Sequence, residues 1–260
     1  MAEEIKITLL AIIQGVTEFL PVSSSGHIVL FDHLFGSMDS DIVLEVILHF
    51  GTLISILYFF RKDIIYLIKG ILHSDEDSRI YGFKIIVATL PAVIFVLLLK
   101  LMNFEIESLF TFNTLVYTYL LNSVILFATK NCEGKNGKIS YPVAIAMGLA
   151  QVFALLPGVS RAGITICTAL ILGYNQKISA KFSFFMAIPA MLGALVFKFK
   201  DIFSQTSFEM HSLVIGFFLS MLTGLLVLKL LFRILEGRKL WLFAFYSFLI
   251  WIIVIGNSMS

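Results

Sequence analysis

Residues 42–60 read IVLEVILHFGTLISILYFF, and apolar runs of similar length recur along the chain. An α-helix needs about 20 such residues to cross the hydrocarbon of a bilayer. Full spans are expected near 42–60, 82–101, 112–129, 180–198, 211–232 and 240–256. A spanning backbone must satisfy its own hydrogen bonds, so the expected fold is an all-α polytopic integral membrane protein. Composition agrees. Only 14% of the 260 residues are charged, against roughly a quarter in a soluble domain, and mean hydropathy is +0.97. The net charge of +2 comes without a basic tract interleaved with aromatics, which excludes nucleic acid as a partner. The start, MAEEIKITLL, is acidic and lacks a small-residue cleavage site, so no removable signal peptide is expected. Cys132 and Cys167 have neither a disulfide framework nor metal-ligand spacing and read as ordinary thiols.

Two apolar stretches are interrupted. Residues 5–35 are broken by Pro21 and the Ser23-Ser24-Ser25-Gly26 run, and residues 141–173 by Pro157-Gly158 and Ser160-Arg161. Each half-segment is too short to span, so both read as re-entrant helix–turn–helix hairpins. The breaks are related. With Gln14 set on Gln151, Val22, Ser23 and Gly26 fall on Val159, Ser160 and Gly163, an offset of 137 residues. GTLISILYFFRKDI (51–64) resembles PAMLGALVFKFKDI (189–202) at an offset of 138. The reading is one membrane domain over 1–260, with halves at 1–130 and 140–257. Each half is one hairpin plus three spans, which turns the second half upside down relative to the first. In such an inverted repeat both breaks are expected near the midplane.

Lys and Arg set the orientation. One side carries Arg61, Lys62, Lys69, Arg79, Lys130, Lys135, Lys138, Lys177, Lys181, Arg233, Arg238 and Lys239; the other has little beyond Lys6, Lys100, Lys198 and Lys200. The positive-inside rule makes the first set cytoplasmic, with both termini and the mouth of the first hairpin facing outward. The charge run HSDEDSR (73–79) reads as solvated linker.

The chemistry gathers at the breaks. Gln14 and Glu18, four apart, share a helix face. Pro21 ends that helix and the serines cap the next, where Ser24 and His27 meet on the first turn. Ser160 caps the corresponding helix of the second hairpin, with Arg161 in its first turn and Thr165 one turn on. Two helix N-termini then point at the centre and favour an anion, and Arg161 adds a planar fork suited to phosphate. Beside a phosphate, Glu18 makes sense as a base or a metal ligand. Ionisable groups within a membrane are costly and mark sites or pathways. Ser23 and Ser25 read more simply as serving a neighbouring turn or helix. Glu45 and His49 share a face of the first full span and form a candidate outer shell. Gln151, Asn122 and Thr89 read as interhelical hydrogen-bonding groups. A transporter for an anionic substrate is the rival reading, since broken helices in inverted repeats are common in carriers.

QGVTEFLPVSSSGH (14–27) resembles the first signature of the bacterial undecaprenyl-diphosphate phosphatase family, linked to bacitracin resistance. PGVSRAGIT (157–165) resembles its second signature, and LHFGTLISILYFFRKD (48–63) the segment after the first. The resemblance implies a membrane enzyme that removes the terminal phosphate of a C55 polyprenyl diphosphate and so recycles the lipid carrier for peptidoglycan. It implies interdigitated inverted repeats, an active site open to the outer face of the cell membrane, and a divalent cation, magnesium or calcium. It implies Gln14 and Glu18 for metal and diphosphate, Ser24 as nucleophile with His27 as its acid/base partner, and Arg161 as the phosphate-binding arginine. Ser160, Thr165 and Ser23 join the phosphate pocket. The expected partners are the polyprenyl diphosphate and membrane lipids, with a homodimer as the expected oligomer. With this resemblance, the sharpest form of the rival reading is a flippase for a polyprenyl phosphate. Two positions depart from the family pattern. Gln14 stands where many members have Glu, which puts more of the metal binding on Glu18, and Ala162 stands where Ser is common, which puts in doubt any role for a hydroxyl there.

Overall fold

The computed structural model describes residues 2–35, 42–197 and 208–258, and every named element in it is helical. The first hairpin is α1 (Ala2–Thr17) and α2 (Ser24–Phe35). Then come α3 (Ile42–Phe59), α4 (Arg61–Leu72), α5 (Glu76–Leu101) and α6 (Phe112–Ala128). The second hairpin is α7 (Tyr141–Phe153) and α8 (Arg161–Ile171), followed by α9 (Gln176–Phe197), α10 (Met210–Glu236) and α11 (Phe243–Ser258).

Both hairpins break for one reason. A proline has no N–H for the carbonyl four residues back. Pro21 withholds that bond from Thr17 and Pro157 from Phe153, and these are the last residues of α1 and α7. Each outgoing helix is then capped by a serine: Gly26 N donates to Ser23 Oγ (3.2 Å) and Gly163 N to Ser160 Oγ (3.1 Å). The serine equivalence read from the repeat is therefore an equivalence of role.

Four helices are long and apolar enough to cross a membrane alone: α5, α9, α10, and α11 with its leading 3₁₀ turn (Leu240–Ser258). Helix α3 qualifies only together with α4, from which it bends by 72°. Helix α6, at 17 residues, is about 26 Å long and falls slightly short of a full crossing. The linker expected at 73–79 is instead a helix start. Asp75 caps α5, accepting from Ser78 N (3.0 Å) and from its hydroxyl (2.5 Å), so α5 begins six residues before the predicted span. Those two donors hold the Asp75 carboxyl below its ordinary pKa.

The loops rich in Lys and Arg meet at one end of the bundle. Four ion pairs join them: Lys138–Asp77 (2.5 Å), Lys177–Glu236 (2.8 Å), Lys181–Asp63 (2.6 Å) and Arg238–Glu133 (3.5 Å). At the other end Glu4 faces His211 (3.6 Å), Lys6 lies over Phe208 and Lys100 over Phe197. Lys198 and Lys200 lie outside the described residues.

Depth follows from close helix contacts. Helix α1 runs beside α10 from the Glu4–His211 end, and a Cβ on Gly15 would collide with Thr223 halfway along α10. Helix α7 runs beside α5 from the basic end. Lys84 sits over Tyr141, and a Cβ on Gly148 would collide with the Ala88 carbonyl halfway along α5. The two hairpins thus enter from opposite ends and touch at mid-depth, where Gly158 N donates to Ser23 Oγ (3.0 Å). Gly158 has φ +94°, and a Cβ there would strike Thr118; a Cβ on Gly26 would strike the Gly158 backbone. Only glycine allows the tips to come this close.

Asn122 of α6 locks the junction. Its amide donates to Pro21 O (3.0 Å) and Ser247 Oγ (2.9 Å), and its oxygen accepts from Ser160 N (3.1 Å). One buried side chain therefore holds both hairpins and α11, as its reading as interhelical glue expects. Thr89 bonds chiefly within its own helix, to Ile85 O (2.8 Å), with Met186 O of α9 at 3.5 Å, whereas both amide atoms of Gln151 are buried without a partner. Asn122→Ala strands three buried polar groups, and a loss of about 3 kcal/mol in unfolding free energy is expected, read from thermal or denaturant melts in detergent.

Candidate active site

Glu18 sits in the first break with its side chain only 10% exposed. Its Oε1 accepts from Arg161 Nη2 (2.7 Å), and its Oε2 accepts from Ser24 Oγ (2.9 Å) and Gln14 Nε2 (3.1 Å). His49 Nε2 approaches Oε2 at 3.9 Å. Four residues singled out in the sequence thus converge on one carboxylate from α1, α2, α3 and α8. The starts of α2 and α8 both lie at this junction, so their partial positive charge falls on the same space.

Other placements differ from expectation. Ser24 and His27 were expected to meet, but the Ser24 hydroxyl turns to Glu18. His27 is buried and bonds elsewhere: Nδ1 to Ser23 O (2.6 Å) and Nε2 to Tyr246 OH (2.7 Å). A carbonyl only accepts, so Nδ1 carries a hydrogen and donates it to Ser23 O. The Tyr119 hydroxyl lies 3.1 Å from Nδ1 and its ring meets the imidazole edge-on, while Tyr246 stacks on it. His27 is therefore built into the hairpin joint.

The three pocket hydroxyls are also engaged. Ser23, at φ +67°, accepts from the backbone of both hairpins and acts as their clasp. Ser160 Oγ caps α8 and donates to Leu20 O (3.3 Å). Thr165 is fully buried, bonded to Arg161 O (2.7 Å) and Ser183 Oγ (2.6 Å). Helix spacing put it one turn from Arg161 but did not show that its hydroxyl would turn back onto the helix. Glu45 contributes its backbone carbonyl, which bonds His49 Nδ1 (2.9 Å) and holds that ring toward Glu18.

Sequence reasoning missed Tyr119, Tyr246 and Ser183. Each carries a hydroxyl on a membrane helix, where it needs a partner, and that was the available signal.

Two polar atoms at the site are buried and unpartnered: Gln14 Oε1 and Arg161 Nη1. One is an acceptor and one a donor, and both flank Glu18. The Gln14 amide cannot be turned round, because its Nε2 must face the carboxylate. Among the described residues no three His, Cys, Asp or Glu side chains gather as a metal cage. Glu18 with Gln14 Oε1 is a sparse oxygen set. It fits a hard cation that takes its remaining ligands from phosphate and water.

Residues 7–253 match the family model described as bacitracin resistance protein BacA. The chain is 36% identical over 275 residues to an undecaprenyl-diphosphatase of Methanobrevibacter smithii, covering 98% of each chain. It is 35% identical over 264 residues to an undecaprenyl-diphosphatase of Acinetobacter baumannii, covering 99% of this chain and 96% of the relative. A third undecaprenyl-diphosphatase, from Methanosphaera stadtmanae, is 36% identical over 276 residues, with 98% of each chain covered.

Proposed function

The chain belongs to the bacitracin resistance protein family, whose relatives here are undecaprenyl-diphosphatases, and we propose that it hydrolyses undecaprenyl diphosphate at the cleft around Glu18, Ser24 and Arg161. The products are undecaprenyl phosphate, the lipid carrier for cell-wall polymers, and inorganic phosphate. The observation that carries the site assignment is the single carboxylate contacted by both a serine hydroxyl and an arginine at the meeting of two helix starts.

The lipid tail lies along the apolar helices and the diphosphate enters the cleft. Arg161 turns its fork, including the unpartnered Nη1, from Glu18 to the phosphate oxygens and neutralises charge that builds in the transition state. Ser24 Oγ attacks the terminal phosphorus as Glu18 Oε2 takes its proton. The new O–P bond forms as the bridging P–O bond breaks, and lipid monophosphate leaves. Water then attacks the phosphoserine phosphorus, the Oγ–P bond breaks, and the proton held by Glu18 returns to Ser24 Oγ as inorganic phosphate leaves. Glu18 and Gln14 are the residues that would hold a magnesium or calcium ion, which when bound supplies further positive charge beside the diphosphate. His27, Ser23, Ser160 and Thr165 keep the junction in shape.

The two halves read as an inverted repeat, a reading that the opposite entry of the hairpins supports. With the basic end cytoplasmic, the first hairpin opens to the outer face of the cell membrane. A flippase is the less favoured reading, because a carrier needs the anion-binding ends but no hydroxyl held against a carboxylate.

Purified protein in detergent is expected to release phosphate from C55 diphosphate with magnesium or calcium, and to lose at least 90% of that rate in EDTA. Failure of well-folded protein to release phosphate would overturn the enzymatic reading. A rate indifferent to EDTA would overturn the cation.

A further inference from the structure

Away from the catalytic junction, the basic end carries an open groove of about 340 Å³. Its walls are Phe59 and Phe60 at the α3–α4 corner, Phe232 of α10 and Ile178 of α9; its rim carries Lys177, Lys181 and Asp63. The size is at the low end for ligand pockets, enough for a headgroup and the first part of its chains. None of these residues belongs to the site around Glu18.

Helix α4 fixes the depth of this groove. It leaves α3 at 72° and has no buried residue. It is fastened along one side, where Gly70 packs on Ser78 and Asp63 reaches Lys181. Ile65, Ile68 and Leu72 form an exposed apolar stripe at helical spacing, flanked by Lys62 and Lys69. A helix of this pattern lies in the plane of a bilayer interface, with apolar residues toward the acyl chains and lysines among the headgroups. Its neighbour, the groove, is then at headgroup depth, with aromatic walls in hydrocarbon and lysines at the phosphate level.

We propose that this groove is a binding site for an anionic glycerophospholipid, with its phosphate between Lys177 and Lys181 and its acyl chains against Phe59, Phe60 and Phe232. The acidic neighbours of the two lysines do not oppose this. The Lys181–Asp63 and Lys177–Glu236 pairs are about half exposed, and exposed pairs are weak and readily exchanged. Arg233, whose charge reaches Glu236, joins Lys177 and Lys181 against Asp63 and Glu236 and leaves the surroundings net positive, which selects an anionic headgroup over a zwitterionic one.

Thermal melts of the detergent-solubilised full chain test this, with phosphatidylglycerol, phosphatidylcholine or inorganic phosphate added. Phosphatidylglycerol at roughly a hundredfold excess over its Kd is expected to raise Tm by about 5 °C, with less than a third of that from either other addition. Lys177→Gln/Lys181→Gln should lose most of the rise and keep wild-type phosphatase activity, while Lys177→Arg/Lys181→Arg should keep both. Equal shifts from phosphatidylcholine or from free phosphate would overturn the proposal, as would a full shift in the Gln variant. Should the Gln variant not fold, Asp63→Asn/Glu236→Gln frees both lysines and should enlarge the shift; no enlargement would equally overturn it. Phosphate release from C55 diphosphate is read separately, so loss of the lipid site and loss of the phosphatase reading are distinguishable.

Discussion

Arg161→Gln lowers kcat on undecaprenyl diphosphate by on the order of 10³-fold, the range found when a charged donor that stabilises a transferring phosphoryl group is removed. The variant also strands Glu18, a carboxylate with only a tenth of its side-chain surface exposed. Breaking a buried pair from one side costs about 3–5 kcal/mol, so lost activity alone could reflect lost structure. The double variant Glu18→Gln/Arg161→Gln separates the two effects. It replaces a charge pair with two amides that can bond to each other, and it should recover most of the lost Tm but none of the turnover. Recovery of turnover in the double variant, or wild-type kcat in folded Arg161→Gln, would remove Arg161 from the reaction.

The second large effect belongs to Ser24. Ser24→Ala should cut turnover by on the order of 10³-fold or more while leaving stability almost unchanged, because the side chain is half-buried and holds no backbone group. Its neighbours should behave differently. Ser23→Ala leaves Gly26 N and Gly158 N without their acceptor and should cost about 2 kcal/mol of stability. Ser25→Ala should do little to either. The identity of the base is tested in parallel: Glu18→Gln should abolish phosphoserine formation, whereas His27→Gln should lower stability and reduce the rate far less. Near-normal turnover by Ser24→Ala would leave water as the nucleophile, and a larger loss from His27→Gln than from Glu18→Gln would restore the imidazole as base.

Much of this was legible in the sequence because breaks in membrane helices leave marks. A proline, a serine run and a glycine inside an apolar stretch each have a local physical meaning. Their repetition 137 residues apart paired Ser23 with Ser160 before their shared capping was seen. Glu18 and Arg161 stood out because charge in such a setting demands a partner. Local spacing could not say where a side chain on a shared face would turn. Ser24 and His27 are three residues apart, yet Ser24 bonds Glu18 within its own hairpin while His27 bonds Ser23 O and meets Tyr246 and Tyr119, and only the packing of α6 and α11 decides the last two. The charge run at 73–79 misled because its composition suits a linker as well as a helix cap. The corner after Phe60 was missed because an apolar helix leaving the membrane and one lying along it have similar composition.

In the proposed mechanism the Glu18–Arg161 contact is a built-in rival for the diphosphate. An incoming diphosphate must win the arginine from a carboxylate already in place, so part of its binding energy goes into that exchange. After cleavage the balance shifts. Inorganic phosphate has no lipid tail to anchor it, and the carboxylate can reclaim the guanidinium and push the product out. A site arranged this way resists accumulation of its own small product, and in its resting state the carboxylate and guanidinium cancel each other's charge at the middle of the membrane.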